Sequence, residues 1–352
     1  MSLSQVFLNF NSILNPRDSD NKVKEICDSL SAVVSVDKYL FLGGDETTTI
    51  ERLETHDGGA TFTNHQQWKI SEFVKLPSGD DEEIDIEGMA CSDRSLWIVG
   101  SHSLKRRQPN PKKTAAENIK RLVDVSTERN RYLLARIPLD SNYNLTKTSP
   151  SAQLEITDTG NILIDALKKD KHFKSFLNIP SKDNGIDIEG LAVSQNKIFI
   201  GLRGPVLRGW TSILELECKS INDSNIELKK IGSENQPYRK HFVQLGGLGV
   251  RDLIVDGQDL LILAGPTMDL DGPVEVFRWK NALTNREESL TWGNEGSLES
   301  VLKVPYGEDT DHAEGITFFA SNTKSLMIVY DSPSNSRKQR GSSTIQADIF
   351  TL

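Results

Sequence analysis

Short apolar runs separated by polar turns follow one another along the whole chain. Five segments each hold an apolar run, a two-residue polar turn and a second apolar run, and the second runs lie at 39–42, 96–99, 197–200, 260–263 and 326–330. Turn residues between apolar runs of this length predict antiparallel hairpins. A third run follows in every segment and a fourth in most of them, so the pattern predicts repeated four-stranded antiparallel units.

The first apolar run of three segments starts with a closely related sequence. Residues 84–90 read Ile-Asp-Ile-Glu-Gly-Met-Ala, and residues 186–192 read Ile-Asp-Ile-Glu-Gly-Leu-Ala. A looser copy at 311–317 reads Asp-His-Ala-Glu-Gly-Ile-Thr. Each copy places a carboxylate and then Glu-Gly immediately before a strand-like run, and we call it the Glu-Gly motif.

Two further copies, at 28–34 and 249–255, carry Leu30 and Arg251 where the others carry glutamate. The five copies recur about every 60 residues, except for one interval of about 100 residues that holds an insertion. Four antiparallel strands per repeat of this length are typical of propeller blades. We therefore predict an all-β fold, a β-propeller of five blades, with six blades as the alternative if the long interval contains another.

The two ends of the chain are predicted to meet in the last blade of a single propeller domain, residues 1–352. The last segment has only three predicted strands before the sequence ends, whereas the strand-like residues 5–10 belong to none of the five segments. We expect residues 5–10 to complete the last blade and close the ring. Closure would remove the exposed sheet edges that an open array leaves.

The long interval contains two segments with apolar residues at helical spacing, 112–125 and 161–177. In an up-and-down blade, the start of the first strand and the end of the second strand lie on the same face. The first helical insert follows a second strand and the other precedes a first strand, so both are expected on the face where the motifs start. Helices over one mouth of a propeller favour a covered pocket for a small ligand.

Charge and composition narrow the classes of partner. The 352 residues carry a formal net charge of -9, which argues against nucleic acid as a partner. No apolar run approaches the roughly 18 residues of a membrane span, and residues 1–11 do not resemble a signal peptide, so we expect a cytoplasmic protein without a membrane partner. Three cysteines without short spacing predict free thiols. No phosphate-cradling glycine loop occurs, which argues against a nucleotide cofactor, and the oligomeric state stays open.

The acidic residues of the motifs are predicted to converge, because the first strand of every blade lines the central channel. Confined carboxylates repel one another and need a hard cation, an arginine partner or protonation. Only one histidine, His312, and no cysteine lies within the motifs, so calcium or magnesium is favoured over zinc. The candidate metal ligands are Glu87, Glu189, Glu314, Asp85, Asp187 and Asp311.

A structural interpretation competes with the metal site. Glutamates at the strand starts would accept backbone N–H groups from the neighbouring blade, and the glycines would allow close approach of the strands. Arg251 would then simply pair with one of the glutamates. In this interpretation the motifs hold blades together and carry no chemistry.

Basic residues gather where the second strands end. Arg203 directly follows an apolar strand and precedes a Gly-Pro turn, whereas the basic residues of 105–107 and 337–340 lie in polar loops typical of a solvated rim. Basic groups beside an acidic ring would suit a small anionic ligand bridged by a cation. The candidate ligand-binding residues are Arg251, Asp252, Arg208 and His102, and the candidate catalytic residues are His312, Glu189 and Arg203.

Several of these sequences together resemble a bacterial family labelled domain of unknown function 3616. The resemblance rests on the Glu-Gly motifs, Leu-Arg-Gly-Pro at 202–205, Val-Arg-Asp-Leu at 250–253 and Ala-Gly-Pro at 264–266. It extends from about residue 31 to the C-terminus and implies no established activity. More distantly, the strand starts resemble those of phytase-like and esterase-like propellers, some of which hold calcium near the channel. That resemblance implies that Glu87, Glu189 and Glu314 are channel carboxylates.

Two functional hypotheses follow. The first is an enzyme, a metal-dependent hydrolase of a small anionic ester, in which Arg203 and Arg251 orient the anion and His312 transfers a proton. The second is a binding module that captures a ligand or a protein segment without chemistry. In the second case the glutamates are structural latches.

Overall fold

Antiparallel hairpins follow one another in the order that the apolar runs predict. The computed structural model describes residues 3–11, 26–222, 224–293, 296–319, 322–339 and 343–352. In chain order its strands are β1 (Leu3–Asn9), β2 (Leu30–Val36), β3 (Tyr39–Gly44), β4 (Thr49–Thr55), β5 (Thr61–Lys69), β6 (Ile86–Ser92), β7 (Ser95–Gly100), β8 (Lys105–Arg106), β9 (Val125–Ser126), β10 (Leu134–Pro138), β11 (Ala152–Gln153), β12 (Asp187–Ser194), β13 (Lys197–Gly204), β14 (Thr211–Asn222), β15 (Asn225–Leu228), β16 (Tyr238–Val243), β17 (Gly249–Asp256), β18 (Asp259–Gly265), β19 (Val274–Trp279), β20 (Ser289–Thr291), β21 (Leu298–Val304), β22 (His312–Phe319), β23 (Asn322–Asp331) and β24 (Thr344–Thr351).

Helices are few and short. The α-helices are α1 (Ala115–Arg121) and α2 (Ile162–Leu167). Single 3₁₀ turns lie at Ile26–Asp28, Ile70–Glu72, Arg129–Tyr132, Lys174–Phe176, Ser181–Asp183, Ser233–Asn235 and Ala282–Thr284. The protein is therefore a mostly β structure in which helices occur only between strands.

Within the described residues, the strands form five antiparallel four-stranded units. In chain order these units are β2-β3-β4-β5, β6-β7-β10-β11, β12-β13-β14-β16, β17-β18-β19-β21 and β22-β23-β24-β1. The fourth strand of the last unit is β1, which pairs with β24 from Leu3 opposite Phe350 to Asn9 opposite Thr344. The N-terminal strand thus completes the C-terminal unit.

The first strands of the five units pack side by side in a cycle. Strand β2 contacts β6, β6 contacts β12, β12 contacts β17, β17 contacts β22, and β22 contacts β2. The Glu-Gly glycines permit this approach: a Cβ atom on Gly88 would lie 2.7 Å from Leu191 N, and one on Gly190 would lie 2.8 Å from Asp252 Cα. Parallel pairing of β1 with β5, β11 with β15 and β16 with β20 joins neighbouring units at their outer edges. The arrangement is propeller-like and covers edges that would otherwise pair with other chains.

Two units have a polar residue at the position of the motif glycine, and its side chain links first strands. Ser31 Oγ, on β2, donates a hydrogen bond to Ile86 O on β6. Asp252, on β17, accepts hydrogen bonds from Ile316 N of β22 at 2.9 Å and from Leu253 N at 2.8 Å. Neighbouring first strands are therefore connected at the position of the motif glycine in one of two ways. Where the residue is glycine the backbones approach closely, and where it is Ser31 or Asp252 the side chain forms a hydrogen bond to the next first strand.

The apolar core consists of layers between neighbouring units. One layer joins Trp97 and Val99 of the second unit to Ile188 and Ile200 of the third. Four further layers lie between or within the other units. Strands covered on both faces need apolar residues at successive positions, which is why the runs in the sequence are continuous rather than alternating.

The two predicted helical inserts have different environments. Insert 112–125 is α-helical only over α1, which starts with a capping box formed by Thr114 and Glu117. None of the α1 residues is buried, and the expected apolar face is open, with Ile119 66% exposed and Val123 75% exposed.

Insert 161–177 is α-helical only over α2 and adds a 3₁₀ turn at Lys174–Phe176. Its apolar residues Leu163, Ile164 and Leu167 are buried in the layer between the second and third units. This insert is therefore part of the core, whereas no residue of α1 is buried.

The helices and the cysteines bear on membrane insertion and on disulfide bonding. In the ranges given above, no helix combines the length and the apolar character that a membrane span requires. Cys91 and Cys218 form no disulfide within the described residues, and burial raises the pKa of both thiols to about 11.

Candidate functional site

A large cavity lies over the face where the Glu-Gly motifs start. It has a volume of about 1010 Å³, and we call it the central cavity. Its floor is formed by residues of the first strands and the segments that lead into them, and segment 105–126 with Lys182 forms its outer wall. Among the described residues, twelve acidic and eight basic side chains line it. The motif residues in its wall are Asp85, Glu87, Asp187, Glu189 and Glu314.

A repeated irregularity directs the motif side chains. In each first strand the pairing register with the second strand shifts at the motif, between Ile86 and Gly88 in β6 and between Ala313 and Gly315 in β22. The same shift occurs around Arg251 in β17. A β-bulge turns the extra residue away from its usual face and is frequent beside functional sites. The bulges therefore explain why Glu87, Arg251 and Glu314 leave the sheet pattern at equivalent places.

Arg203, near the end of β13, binds two acids of its own unit. Its guanidinium pairs with the Asp187 carboxylate, and its Nη1 lies 2.7 Å from Glu189 Oε1. The Arg203 side chain is 3% exposed, so this is a buried ion-pair cluster. The two carboxylates raise the already high pKa of Arg203 further, although burial opposes them, and the side chain is a permanent cation.

Arg251 joins three units through its side chain. Its Nη1 lies 2.6 Å from Glu314 Oε1 of the fifth unit and 3.3 Å from Glu189 Oε2 of the third. Its Nη2 donates a hydrogen bond of 3.0 Å to the carbonyl of Pro266. Arg251 therefore holds two motif glutamates that would otherwise repel each other.

Arg131, in the 3₁₀ turn that precedes the third strand of the second unit, binds three acids of that unit. Its Nη1 lies 2.5 Å from Asp85 Oδ2, its Nε lies 2.9 Å from Glu128 Oε2, and its guanidinium also pairs with Glu83. Burial raises the pKa of Glu83, but Arg131 and Lys105 outweigh it and lower that pKa to about 2. The sequence analysis did not single out Arg131, which precedes an apolar run, whereas Arg203 follows one.

Glu87 is the motif carboxylate without a partner. In the part of the chain that the structure describes, no hydrogen bond or ion pair involves its side chain. Burial, followed by repulsion from Asp85, Glu189 and Glu314, raises its pKa well above the ordinary value. Burial also raises the pKa of Glu189 and Glu314 despite their arginine partners. The site therefore contains more carboxyl groups than arginine partners for them.

The structure places His312 and Asp311 at the side of the central cavity. His312 Nε2 lies 3.2 Å from Asp271 Oδ1, and the residue also lines the central cavity. Asp311 Oδ1 lies 2.7 Å from Arg337 Nε, which makes Asp311 part of an ion pair rather than of the acidic floor. Arg337 is thus not the solvated rim residue that its polar loop suggests, and Arg340 of the same loop lies outside the described residues.

Three predicted ligand-binding residues lie away from the cavity wall. Asp252 is buried and accepts hydrogen bonds from Ile316 N of the neighbouring first strand β22 and from Leu253 N of its own strand. His102 is buried: its Nδ1–H donates to Gly100 O at 2.8 Å, and its Nε2 accepts from Asn161 Nδ2 at 2.8 Å. Arg208 is exposed in the turn that connects β13 to β14. The sequence alone does not show which of these three residues is buried or which groups each of them binds.

Lys182 is the residue of the site that sequence reasoning missed most clearly. It lies in the 3₁₀ turn Ser181–Asp183, which approaches the cavity from outside the strand pattern. Its charge lowers the pKa of Asp187, Glu189 and Glu314, although burial outweighs that effect at all three. Nothing in the local sequence of this loop indicates that it faces the motif acids.

Most of the predicted metal ligands pair with arginines. Within the residue ranges that the structure covers, no cluster of three or more His, Cys, Asp or Glu side chains could hold a metal ion. The physical reason is that Asp85, Asp187, Glu189, Glu314 and Asp311 direct oxygens at arginines. Calcium or magnesium binding by these residues stays a prediction.

Strand pairing and the cyclic packing of first strands define a propeller-like, mostly β protein with a charged cavity over one face. The chain belongs to the family described as Protein of unknown function (DUF3616), whose model matches residues 29–348. This match confirms the family resemblance that the repeated motifs indicated. A search of curated proteins found no match.

Similar solved structures include several enzymes. A luciferin-regenerating enzyme has a TM-score of 0.36 and 9% identity over 93% of this chain and 92% of that chain. The aldose sugar dehydrogenase of Streptomyces coelicolor in its PQQ-bound form has a TM-score of 0.38 and 10% identity over 99% of each chain. The glutaminyl cyclase of Myxococcus xanthus has a TM-score of 0.38 and 10% identity over 99% of this chain and 98% of that chain. These low scores and identities carry no information on the ligand or activity of this chain.

Proposed function

We propose that the five units are the blades of a closed propeller and that the central cavity binds a ligand through a positively charged group. The observation that carries this proposal is Glu87, a carboxylate in the cavity wall that forms no ion pair or hydrogen bond with a side chain of the described residues. A folded protein keeps an unpaired carboxylate in such a place only if a proton or a bound cation compensates its negative charge, because burial and like charges both disfavour the ionised form.

The balance of charge in the floor supports a cationic ligand. Five motif carboxylates, Asp85, Glu87, Asp187, Glu189 and Glu314, face three guanidiniums, those of Arg131, Arg203 and Arg251. The guanidinium of Arg131 is moreover shared among Asp85, Glu83 and Glu128, and Lys105 also pairs with Glu83. A divalent cation or an organic ammonium group would supply the missing charge, and both are included in the test below.

Hydrolysis of a small anionic ester is the second candidate. The basic side chains of the outer wall, such as Lys105, Arg106 and Lys182, and the pairing of His312 with Asp271 favour it. Against it, the two arginines predicted to orient the anion each bind two carboxylates, and an anion would have to compete with those buried ion pairs. A cation at Glu87 requires no such competition, because Glu87 forms no ion pair within the described residues.

The test is thermal unfolding of the purified protein after dialysis against EDTA, with CaCl₂, MgCl₂ or ethylammonium chloride added at matched ionic strength. Specific binding at about 100 times Kd stabilises the folded state by about 2.7 kcal/mol, which raises the Tm by a few degrees. Glu87→Gln should remove that rise. Asp124→Asn, which changes an exposed acid of the same cavity wall, should keep it.

Two results would contradict the proposal. One is the absence of any cation-dependent rise in Tm for the unmodified protein. The other is an equal rise in the protein and in Glu87→Gln, which would place the cation elsewhere. A rise produced by a phosphate monoester instead of a cation would favour the second candidate.

A further inference from the structure

A second, smaller cavity lies beside the central one, between the fourth and fifth units, and we call it the side cavity. Its volume is about 140 Å³. It is bounded by the loop after β18 and the segment that leads from β21 into β22. Its apolar wall consists of Pro266, Met268, Leu270, Val274 and Tyr306. A cavity in which apolar and charged walls meet differs from the purely polar floor of the central cavity.

The two cavities adjoin each other, because Lys182, Asp269, His312, Glu314 and Asp331 line both of them. A ligand with one group in the central cavity would therefore have its other end close to the side cavity. Acidic side chains outnumber basic ones in the described lining of the side cavity too, so an anionic group is disfavoured at either end.

The size and exposure of the apolar wall indicate what fits there. A cavity of about 150 Å³ is large enough for benzene, so the side cavity accommodates one ring or a branched alkyl group of similar size. Leu270 and Tyr306 are 58% and 50% exposed beside it. Large apolar side chains that stay exposed next to a pocket gain stability when a ligand covers them. A bare metal ion would make no use of this wall.

The central cavity offers acceptors suited to an ammonium group. An ammonium has three N–H donors and no acceptor. Glu189, 2% exposed, has an oxygen, Oε2, that accepts no hydrogen bond within the described residues and lies 3.3 Å from Arg251 Nη1. The unpaired Glu87 lies in the same wall. These oxygens provide directional acceptors, whereas the described residues provide no group arranged to hold a metal ion.

We propose that the ligand is an organic ammonium ion carrying one ring-sized apolar group, with the ammonium at Glu87 and Glu189 and the apolar group in the side cavity against Leu270 and Tyr306. This inference rests on the proposed function, and it names the ligand class. Charge would fix one end of the ligand, and burial of apolar surface would select its other end.

The experiment compares 2-phenylethylammonium with ethylammonium by isothermal titration calorimetry on the full chain. Covering the apolar wall should make the phenyl compound bind at least about tenfold more tightly. Leu270→Ser should abolish most of that difference and leave ethylammonium binding unchanged. Leu290→Ser, which changes a leucine of similar exposure (51%) outside both cavities, should preserve the difference.

Each outcome separates this inference from the proposed function. Equal affinities for the two ammonium ions, or a phenyl preference that Leu270→Ser leaves intact, overturn the inference alone. Binding of calcium or magnesium without binding of either ammonium ion also overturns it, while the cation site stands. Failure of every cation to bind overturns both, and so does tighter binding of 3-phenylpropanoate than of 2-phenylethylammonium, since that compound has the same ring and the opposite charge.

Discussion

Removal of Arg251 tests whether the charged floor is held together by its arginines. In Arg251→Gln, Glu189 and Glu314 lose a guanidinium at 3.3 Å and 2.6 Å, and the carbonyl of Pro266 loses its donor. All three side chains of this ion-pair group are at least nine-tenths buried. Breaking a buried ion pair by removing one partner costs about 3–5 kcal/mol, because the remaining charge stays buried without compensation. That is a large part of the roughly 5–15 kcal/mol that stabilises a typical domain.

The assay is urea unfolding followed by circular dichroism at several pH values. Burial already raises the pKa of Glu189 and Glu314, and loss of Arg251 raises both further. Carboxyl groups with raised pKa bind more protons in the folded state than in the unfolded state. Stability of the variant therefore falls as pH rises from about 4.5 through the raised pKa values, and its deficit should be larger at pH 8 than near pH 5.

Two comparisons make this prediction falsifiable. Arg278→Gln removes an arginine of the same unit that pairs with Asp256 and Asp259 at the partly exposed surface, and it should cost about 1 kcal/mol or less. Adding Glu314→Gln to Arg251→Gln should restore part of the loss. A loss below 1 kcal/mol for Arg251→Gln, or a deficit that does not depend on pH, would refute the reasoning.

Two further predictions concern residues that the sequence analysis assigned to ligand binding. Asp252→Ala leaves the buried Ile316 and Leu253 N–H groups without acceptors, so we expect the free energy of unfolding in urea to fall by about 2–4 kcal/mol. The control Arg208→Ala, at an exposed position, should change it by no more than about 0.5 kcal/mol. Similar losses in the two variants would contradict the role of Asp252 as a latch. Burial lowers the pKa of His102 to about 4, below the unfolded value of about 6.5. The folded state therefore binds fewer protons than the unfolded state between these two pH values. The free energy of unfolding should fall by about 3 kcal/mol as pH falls from 6.5 to 4. Unfolding at pH 7.5 and pH 5 should show a smaller pH effect in His102→Gln than in the unmodified protein, and equal effects would exclude His102 as the cause.

The repeated pattern was sufficient for much of the architecture. Apolar runs bounded by turn residues determine hairpins locally, and an interval near 60 residues determines units of similar size. The same reasoning indicated that β1 has its partner in the last segment, where it pairs with β24. It also indicated that Glu87, Glu189 and Glu314 gather on one face, and the structure places all three in the wall of one cavity.

Other features depended on contacts that leave no local signal. Helical spacing in 112–125 indicates an apolar face but not whether another element covers it, and Ile119 and Val123 are exposed. The same spacing in 161–177 corresponds to a buried face, because that segment lies between two sheets. Lys182 comes from a loop without a motif.

The sequence by itself determined the strands, their repetition and the collection of acidic groups at one end of the first strands, because these follow from neighbours along the chain and from the geometry of a repeat. Only the tertiary structure decided which acids are neutralised. Arg203, Arg251 and Arg131 reach their carboxylates across strands and units, and Glu87 has no partner among the residues that the structure describes. Charge compensation in a buried site depends on distances of a few ångströms between groups far apart in sequence, and that information exists only once the chain has folded.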